Sequence, residues 1–512
     1  MTAFDAMPRS ADTVIVGGGT AGSAVAGLLA AGSDETVLVL EAGPDYGPLA
    51  AGRWPTDLLD ARALGYTDAW EYGSGDTYPG RVVPFERAKV IGGCSSHNGC
   101  AAIWGSRLDY DGWVARGNPG WGTADLLPLF RAVAERLRVR RYAPEEVTPF
   151  QAACLAAGPG VGLPQVADLN DLDEDIGIGL SPVNIRDGQR VNAAFAYLDP
   201  VRDRPNLTVR GGVTGDRLLI DGDRVVGVAA IGPDGPFTVG AGRVVVAAGA
   251  YESPAVLLRS GVGDPDALRP LDIASTVPLP GVGQNLHDHP AVVVRFAGGA
   301  ELERRTAEFA AERWMPEEQV IAKARSARHP ANDPGFDLHV YPVGGPDPTD
   351  PAGWRWKLPV AGMTPRSRGW VRLRTADPLA APWIDHRYLG DPAGADRAVL
   401  VAGIALAREL AAQPDLRDLL GAEIAPGPAA RTEAALAAFV EANVVHYYHP
   451  VGSCAMGPAS DPAAVVDPRG RVHGLANAYV ADCSIMPVVP RANTNLPALV
   501  VAERIAGWLL AG

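Results

Sequence analysis

The 512-residue chain has only five cysteines, Cys94, Cys100, Cys154, Cys454 and Cys483. They are odd in number and scattered, with no Cys-x-x-Cys pair, so neither a disulfide framework nor a zinc site is indicated. A reduced, cytoplasmic compartment is expected. Positive charge is also short: 45 Lys and Arg against 59 Asp and Glu leave a formal net charge of −14. That balance argues against nucleic acid or an anionic membrane surface as a partner. No apolar run is long enough to span a bilayer. The opening MTAFDAMPRSAD lacks the apolar core of a signal peptide, so no secretory leader is expected. Internal repeats are absent, and the 45 prolines and 60 glycines are spread along the chain, a pattern of many loops. What remains, 47% hydrophobic and 20% charged, is ordinary globular composition, long enough for two or more domains.

The most informative stretch runs from Asp12 to Glu41. Thr13 to Val16 reads as a buried strand, and Gly17, Gly19 and Gly22 follow in G-x-G-x-x-G spacing. Ser23 to Ala31 continues as a small-residue helix, and a second strand, Val37 to Leu40, ends on Glu41. Each part suits a dinucleotide: Gly17 for the tight turn, Gly19 for close approach of backbone to pyrophosphate, Gly22 for helix packing on the strand. The helix N-terminus favours phosphate charge, and Glu41 stands where an acid accepts hydrogen bonds from ribose hydroxyls. These features leave the identity of the nucleotide open.

Further along, a loop-rich stretch reaches Arg87 and leads into RAKVIGGCSSHNG, small residues suited to backbone packed against a flat ligand. Asp125 to Arg136 reads as a helix. LTVR, RLLI, RVVGVAAIG and RVVVAAGA, in the Asn206 to Val246 region, read as a β-meander returning to the main sheet. GAYESPAVLLRSGVG reads as strand end, turn and helix, with Gly261 near the C-cap. From about Phe296 to Val444 the character changes to a mixture of strands (FDLHVYPV, WVRLR) and a helix (ADRAVLVAGIALARELAAQ). The last part supplies one more buried strand in AYVADCSIM and a closing helix from Leu496 to Leu510.

Six stretches in order resemble the glucose–methanol–choline (GMC) oxidoreductase family: the fingerprint, RAKVIGGCSSHNG, GAYESPAVLLRSGVG, PGVGQNLHDHP, YYHPVGSCAMG and ADCSIMPVVPRANTNLPALVVAERIA. The resemblance covers nearly the whole chain. It implies an α/β fold: a discontinuous Rossmann-like FAD-binding domain with a smaller α+β substrate-binding domain. The FAD-binding domain is expected over 1–153, 190–295 and 445–512, and the substrate-binding domain over 154–189 and 296–444. FAD rather than NAD is implied. Cofactor contacts are expected at Gly17, Gly19, Thr20, Ala21, Gly22, Glu41 and Ala42; at Arg87, Val90, Gly92, Gly93, Ser95, Ser96, His97, Asn98 and Gly99; and at Val213, Ala248, Asp482, Asn493, Thr494 and Asn495. For Asp482 an N-cap or turn role is the alternative.

The implied reaction is oxidation of a small-molecule alcohol to an aldehyde or ketone. A base takes the hydroxyl proton while hydride leaves the carbon for flavin N5, and histidine is the usual base. The resemblance puts that base at His449 and a substrate-holding residue at Asn493, with Tyr448 as a further substrate contact. His446 reads as structural. The GGCSSHN motif is similar to choline-oxidising members, in which the histidine at the place of His97 is bonded to the flavin 8α carbon. A covalent link through His97 is therefore expected. Choline itself is less well indicated: Leu58 stands about where a cage tryptophan is expected, with Trp54 only nearby, and Gly99 replaces a serine. Glu317 and Glu318 are candidate carboxylates, though solvated surface is their expected role. The C-terminal motif looks instead like members acting on aryl or furanic alcohols.

No metal is expected. His287 and His289, two apart around an acid, are a weak metal signal and read instead as a structural loop beside the flavin. Electrons pass to O2 or to a separate acceptor, and the oligomeric state stays open, a homodimer among the options. The alternative from another class is a hydroxynitrile-lyase-type enzyme that keeps FAD without net redox chemistry.

Overall fold

The structure is a computed structural model describing residues 7–74, 81–173 and 176–512. Two sheets organise it. The first has seven strands, with Ser10–Val16 at its centre between Val37–Leu40 and Gly235–Val246, parallel to both. Val14, Ile15, Val37, Val39, Val244 and Val245 are buried, as expected of parallel strands covered on both faces. The long strand Gly235–Val246 is shared. Its first half is the last arm of an antiparallel meander with Thr214–Asp221 and Arg224–Gly232, and its second half pairs in parallel with Ser10–Val16 and Ala478–Val480.

One expected arm of that meander lies elsewhere. Leu207–Arg210 runs parallel to Val37–Leu40 at the opposite edge. The reason is the Gly211–Gly212 turn, which hugs the chain after Glu41: Gly212 N donates to Gly43 O (2.8 Å) and Val213 N to Glu41 O (2.8 Å). A side chain at Gly211 would lie 2.5 Å from Asp45 N, so the pair is held to that path.

The second sheet has eight strands, its pairings antiparallel. Its main path runs Leu420–Ala425, Pro290–Gly298, Trp354–Gly362, Leu338–Val340, Val320–Ala324 and Gly177–Leu180. Val343–Pro346 and Val445–His446 attach to it. The change of character read near Phe296 thus falls inside the strand Pro290–Gly298. The expected helices run Thr123–Arg136, Gly249–Arg259, Ala395–Ala411 and Asn495–Ala511. Gly261 follows the second of these with φ +77°.

The helix Thr20–Gly32 leaves the central strand through the glycine fingerprint and packs on Asn495–Ala511. A Cβ on Gly22 would lie 1.9 Å from the Gly17 carbonyl oxygen, closer than any contact can relax. Gly22→Ala is therefore expected to destabilise the fold by about 1–3 kcal/mol, the usual range for forced overpacking. A lower thermal unfolding midpoint with reduced bound FAD in the purified protein checks this.

Candidate active site

The first sheet ends at a cavity of about 380 Å3. Two helix N-termini reach it: Gly19, Thr20 and Ala21 open Thr20–Gly32, and Thr494, Asn495 and Ala498 open the last helix. Free N–H groups and the helix dipole at such ends favour an anionic ligand. Gly93, on the RAKVIGG turn, crosses the fingerprint so closely that a Cβ there would lie 2.7 Å from Gly19 Cα. Glu41 accepts from Gly18 N and Gly43 N, both at 2.8 Å, and still lines the cavity. Burial pushes its carboxyl up to about 7, partly offset by those two donors.

Of the residues expected to contact the cofactor, Gly17, Gly19, Thr20, Ala21, Glu41, Ala42, Arg87, Gly93, His97, Asn98, Gly99, Ala248, Asp482, Asn493, Thr494 and Asn495 line this cavity. Gly22, Val90, Gly92, Ser95, Ser96 and Val213 do not line it; they shape it from behind. Ser95 Oγ donates to Gly92 O and Ser96 Oγ to Ile91 O, while Val90 and Val213 are core residues. Asp482 is committed to protein. It accepts from Ser484 N (2.8 Å), Gly249 N (2.8 Å) and Ser253 Oγ (2.6 Å), which is the capping alternative. Trp54 and Leu58 are buried in the core and are not cavity-lining residues.

The loop HYYHP brings Tyr447, Tyr448 and His449 together onto the cavity wall. Tyr448 takes a left-handed φ of +66°, strain that marks a position held by its surroundings. Arg87 donates to its carbonyl (3.1 Å), and the next amide, His449 N, donates to Asp288 Oδ1 (2.9 Å). Asp288 Oδ2 accepts in turn from Tyr388 Oη at 2.9 Å. Tyr448 lines the cavity, whereas His446 packs its ring on Phe85 and Tyr448 and its backbone on Pro290. His446 is structural.

His449 is buried and lines the cavity, with its Nδ1 3.0 Å from Nδ1 of His289. One proton serves that contact, so one ring donates and the other accepts. The carbonyls of Pro490 and Met363 face His289 and favour an N–H there. The tautomer in which His449 Nδ1–H donates to His289 Nδ1 keeps Nε2 as the basic nitrogen of His449. Burial, then the neighbouring His289, His339 and Arg87, hold His449 well below the usual histidine range. It is a neutral imidazole at ordinary pH.

His287 and His289 therefore have separate tasks. His287 is tied to Asn285 O (2.6 Å) and accepts from Val489 N (2.9 Å). Asp288, His289 and His449 each bring one ligand atom within 4.8 Å of the others, but the bonds just described already join them to the protein.

Asn493 lies on the same wall. Arg491 steadies its turn through Asp109, donating from N at 2.8 Å and from the guanidinium at 2.5 Å. Asn493 Oδ1, Asn495 Nδ2 and His97 Nδ1 are sealed from solvent without a hydrogen-bond partner. Such groups cost free energy unless a ligand completes them. A flavin dinucleotide fits this donor set: anion-favouring helix ends, a glycine cradle and polar atoms left open along one cavity. Sequence reading missed a clamp on the chain beside His97. Buried Arg190 donates to Asn98 O and Asp57 O, both at 2.7 Å, and to Ala63 O. It also misplaced Glu317 and Glu318, which line the cavity instead of forming solvated surface.

The GMC oxidoreductase N-terminal model matches residues 11–291 and the C-terminal model residues 365–502. The chain belongs to the GMC oxidoreductase family. It is an FAD-dependent alcohol oxidoreductase. It is 36% identical to an oxygen-dependent choline dehydrogenase of Paraburkholderia phymatum, covering 97% of this chain and 91% of the relative. Identity to choline oxidase of Arthrobacter globiformis is 33%, over 97% and 94%. Pyridoxine 4-oxidase from Mesorbium loti superposes with a TM-score of 0.87 at 29% identity, over 98% and 99%. None of the three is a lyase, and the lyase alternative finds no support. Among the described residues, no helix is long and apolar enough to cross a membrane.

Replacing His289 by Ala leaves His449 Nδ1 buried without its acceptor, a loss of about 1–3 kcal/mol. The rate of anaerobic flavin reduction is expected to fall about tenfold or more, measured by stopped-flow absorbance.

Proposed function

We propose that His449 Nε2 takes the hydroxyl proton of the alcohol while Asn493 holds its oxygen, with Tyr448 on the substrate side. When bound, FAD supplies the hydride acceptor at N5. The observation that carries this reading is the His289–His449 contact, which engages Nδ1 of His449 and leaves Nε2 outside it. As His449 gains charge, Nδ1–H stays bonded to His289, so the imidazolium forms with its hydrogen bond already in place. Asn493, whose Oδ1 has no partner in the protein, hydrogen-bonds the hydroxyl without competing as a base. Electrons then leave to O2 or to a separate acceptor.

We further propose that His97 forms the covalent link to the flavin 8α carbon. Its unpartnered Nδ1 and the Arg190 clamp on the neighbouring carbonyls support this reading. The FAD-binding domain proposed for 1–153, 190–295 and 445–512 contains both His97 and His449. A reduced, cytoplasmic setting fits the five free cysteines.

The test is anaerobic bleaching of the flavin band with a panel of choline, benzylic, furanic and sugar alcohols. At least one class is expected to bleach it, whereas bleaching by dithionite alone would overturn the reading. His449→Ala is expected to slow that bleaching about 10²- to 10⁴-fold, the span of a lost general base. Because the His449 pKa is lowered, the base stays deprotonated as pH falls through the ordinary histidine value. The kcat/KM for a neutral alcohol should therefore hold its plateau below about pH 6.5. On acid precipitation, yellow colour should stay in the pellet, and His97→Asn should release it to the supernatant.

A further inference from the structure

Arg87, Cys94 and His97 line one cavity together. Cys94 and His97 stand three apart on the 3-10 turn Gly93–Ser96 and its cap, a geometry in which residues i and i+3 eclipse. The amide of His97 donates to the Cys94 carbonyl (3.3 Å), and the His97 ring hydrogen-bonds the Cys94 thiol. Arg87 brings a buried cation. Its guanidinium donates to the carbonyls of Glu86 (2.7 Å) and Tyr448 (3.1 Å). Of the groups that act on it through charge, Cys94 comes first, ahead of Tyr251, Asp288 and Tyr448. Burial opposes ionisation of the Cys94 thiol, but Arg87 and His97 outweigh it and bring the thiol down to about 6. The other titratable groups that face it, Tyr72, Tyr251 and Cys483, are kept neutral by burial. Neither the proton transfer nor the hydride transfer of the alcohol uses the charge on Cys94.

The ring that Cys94 faces is incomplete. His97 is 8% exposed, and its Nδ1 is sealed without a partner. A bond from His97 to the flavin 8α carbon needs one ring nitrogen with its lone pair free. It also leaves the ring positively charged until the other nitrogen loses its proton. A neighbouring thiolate answers both needs, because it accepts that N–H and offsets the charge. We propose that Cys94 is a positioning residue for flavin attachment, holding one nitrogen of His97 so that the other meets the 8α carbon; the proposal rests on the linkage at His97. One bond forms, from the His97 nitrogen to C8α, and one C8α–H bond breaks. The proton of that bond leaves to solvent, and its electron pair passes into the ring system, reducing the flavin by two electrons. Dioxygen takes those electrons and becomes hydrogen peroxide. The His97 N–H proton passes to Cys94, which becomes a thiol, and then to solvent.

The test uses the full chain, as wild type, Cys94→Ala and Cys94→Ser, produced in riboflavin-depleted cells and then incubated in air with excess FAD. Bound flavin is read by absorbance and linked flavin by the mass of the denatured protein, neither of which depends on turnover. Both variants are expected to bind FAD but to link it about tenfold more slowly, the loss of one charge-assisted hydrogen bond. Serine keeps the size of cysteine without its charge, so it should not rescue the rate. The ratio of wild-type to Cys94→Ser rates should rise from about pH 5 to about pH 7 as the Cys94 thiol ionises. His97 ionisation cancels in that ratio, and a loss of packing alone would not give it a pH dependence. Equal rates in wild type and Cys94→Ser, a ratio flat in pH, or a peptide carrying the flavin on Cys94 overturns the proposal. If the variants bind no FAD, the wild-type rate decides: a rise over the same span is expected, and a flat one overturns the role of Cys94. Wild type that links no flavin overturns the linkage at His97 and Cys94 with it, whereas linkage undiminished in Cys94→Ser overturns the role of Cys94 alone.

Discussion

At Gly22 a Cβ would press on the Gly17 carbonyl at 1.9 Å, and at Gly93 it would press on Gly19 Cα at 2.7 Å. The fingerprint thus closes on itself and meets the distant RAKVIGG turn backbone to backbone, with no side chain between them. This close approach lets the start of Thr20–Gly32, the RAKVIGG turn and the end of the central strand form one rim. The floor is completed by Asp482, whose carboxylate joins the Ala478–Val480 strand end to the start of Gly249–Arg259. The cofactor-facing surface is thus mostly main chain, fixed by contacts that no rotamer change can relieve.

On the substrate side the control is electrostatic. His449 is gripped at its amide by Asp288 and at its ring by His289, and the preceding carbonyl by Arg87. Burial keeps the imidazoles of His287, His289, His339, His386, His446 and His449 below the normal histidine range. A cluster of neutral rings packs without like-charge repulsion, and His449 is the member of it that lines the cavity. The strained φ at Tyr448 belongs to the same design, because a relaxed backbone there would turn His449 away from His289.

The parts legible in the sequence are those whose function sits in a contiguous motif. The fingerprint, the histidine of HYYHP and the asparagine of RANTNLP could be read locally, because glycine spacing and motif order carry the information. What could not be read depends on partners distant in sequence. His289 acquires its role from a residue 160 positions away, and Arg190 holds a carbonyl 92 positions away. Glu318 was misplaced because PEEQ looks like a solvated turn, whereas tertiary packing seals one of its oxygens. The LTVR strand went to the wrong edge because hydrophobic alternation identifies a strand but not its neighbour. The Gly211–Gly212 turn that redirects it acts through contacts with Gly43 and Asp45.

His97 Nδ1, Asn493 Oδ1, Asn495 Nδ2 and Glu318 Oε1 are sealed and unpartnered, and their residues all line one cavity. Each such atom costs about 1–3 kcal/mol while it lacks a partner. A fold bears that cost at a site completed by ligands, and the completion returns it as binding energy. The four residues divide by position in the chain. His97 and Asn495 belong to motifs that build the dinucleotide cradle, whereas Asn493 and Glu318 share the wall with His449. Cofactor binding therefore removes part of the penalty and stabilises the fold by mass action. In the proposed reading the remainder, on the His449 wall, is left for the substrate, and interactions made there are available to favour the reacting geometry over the ground state.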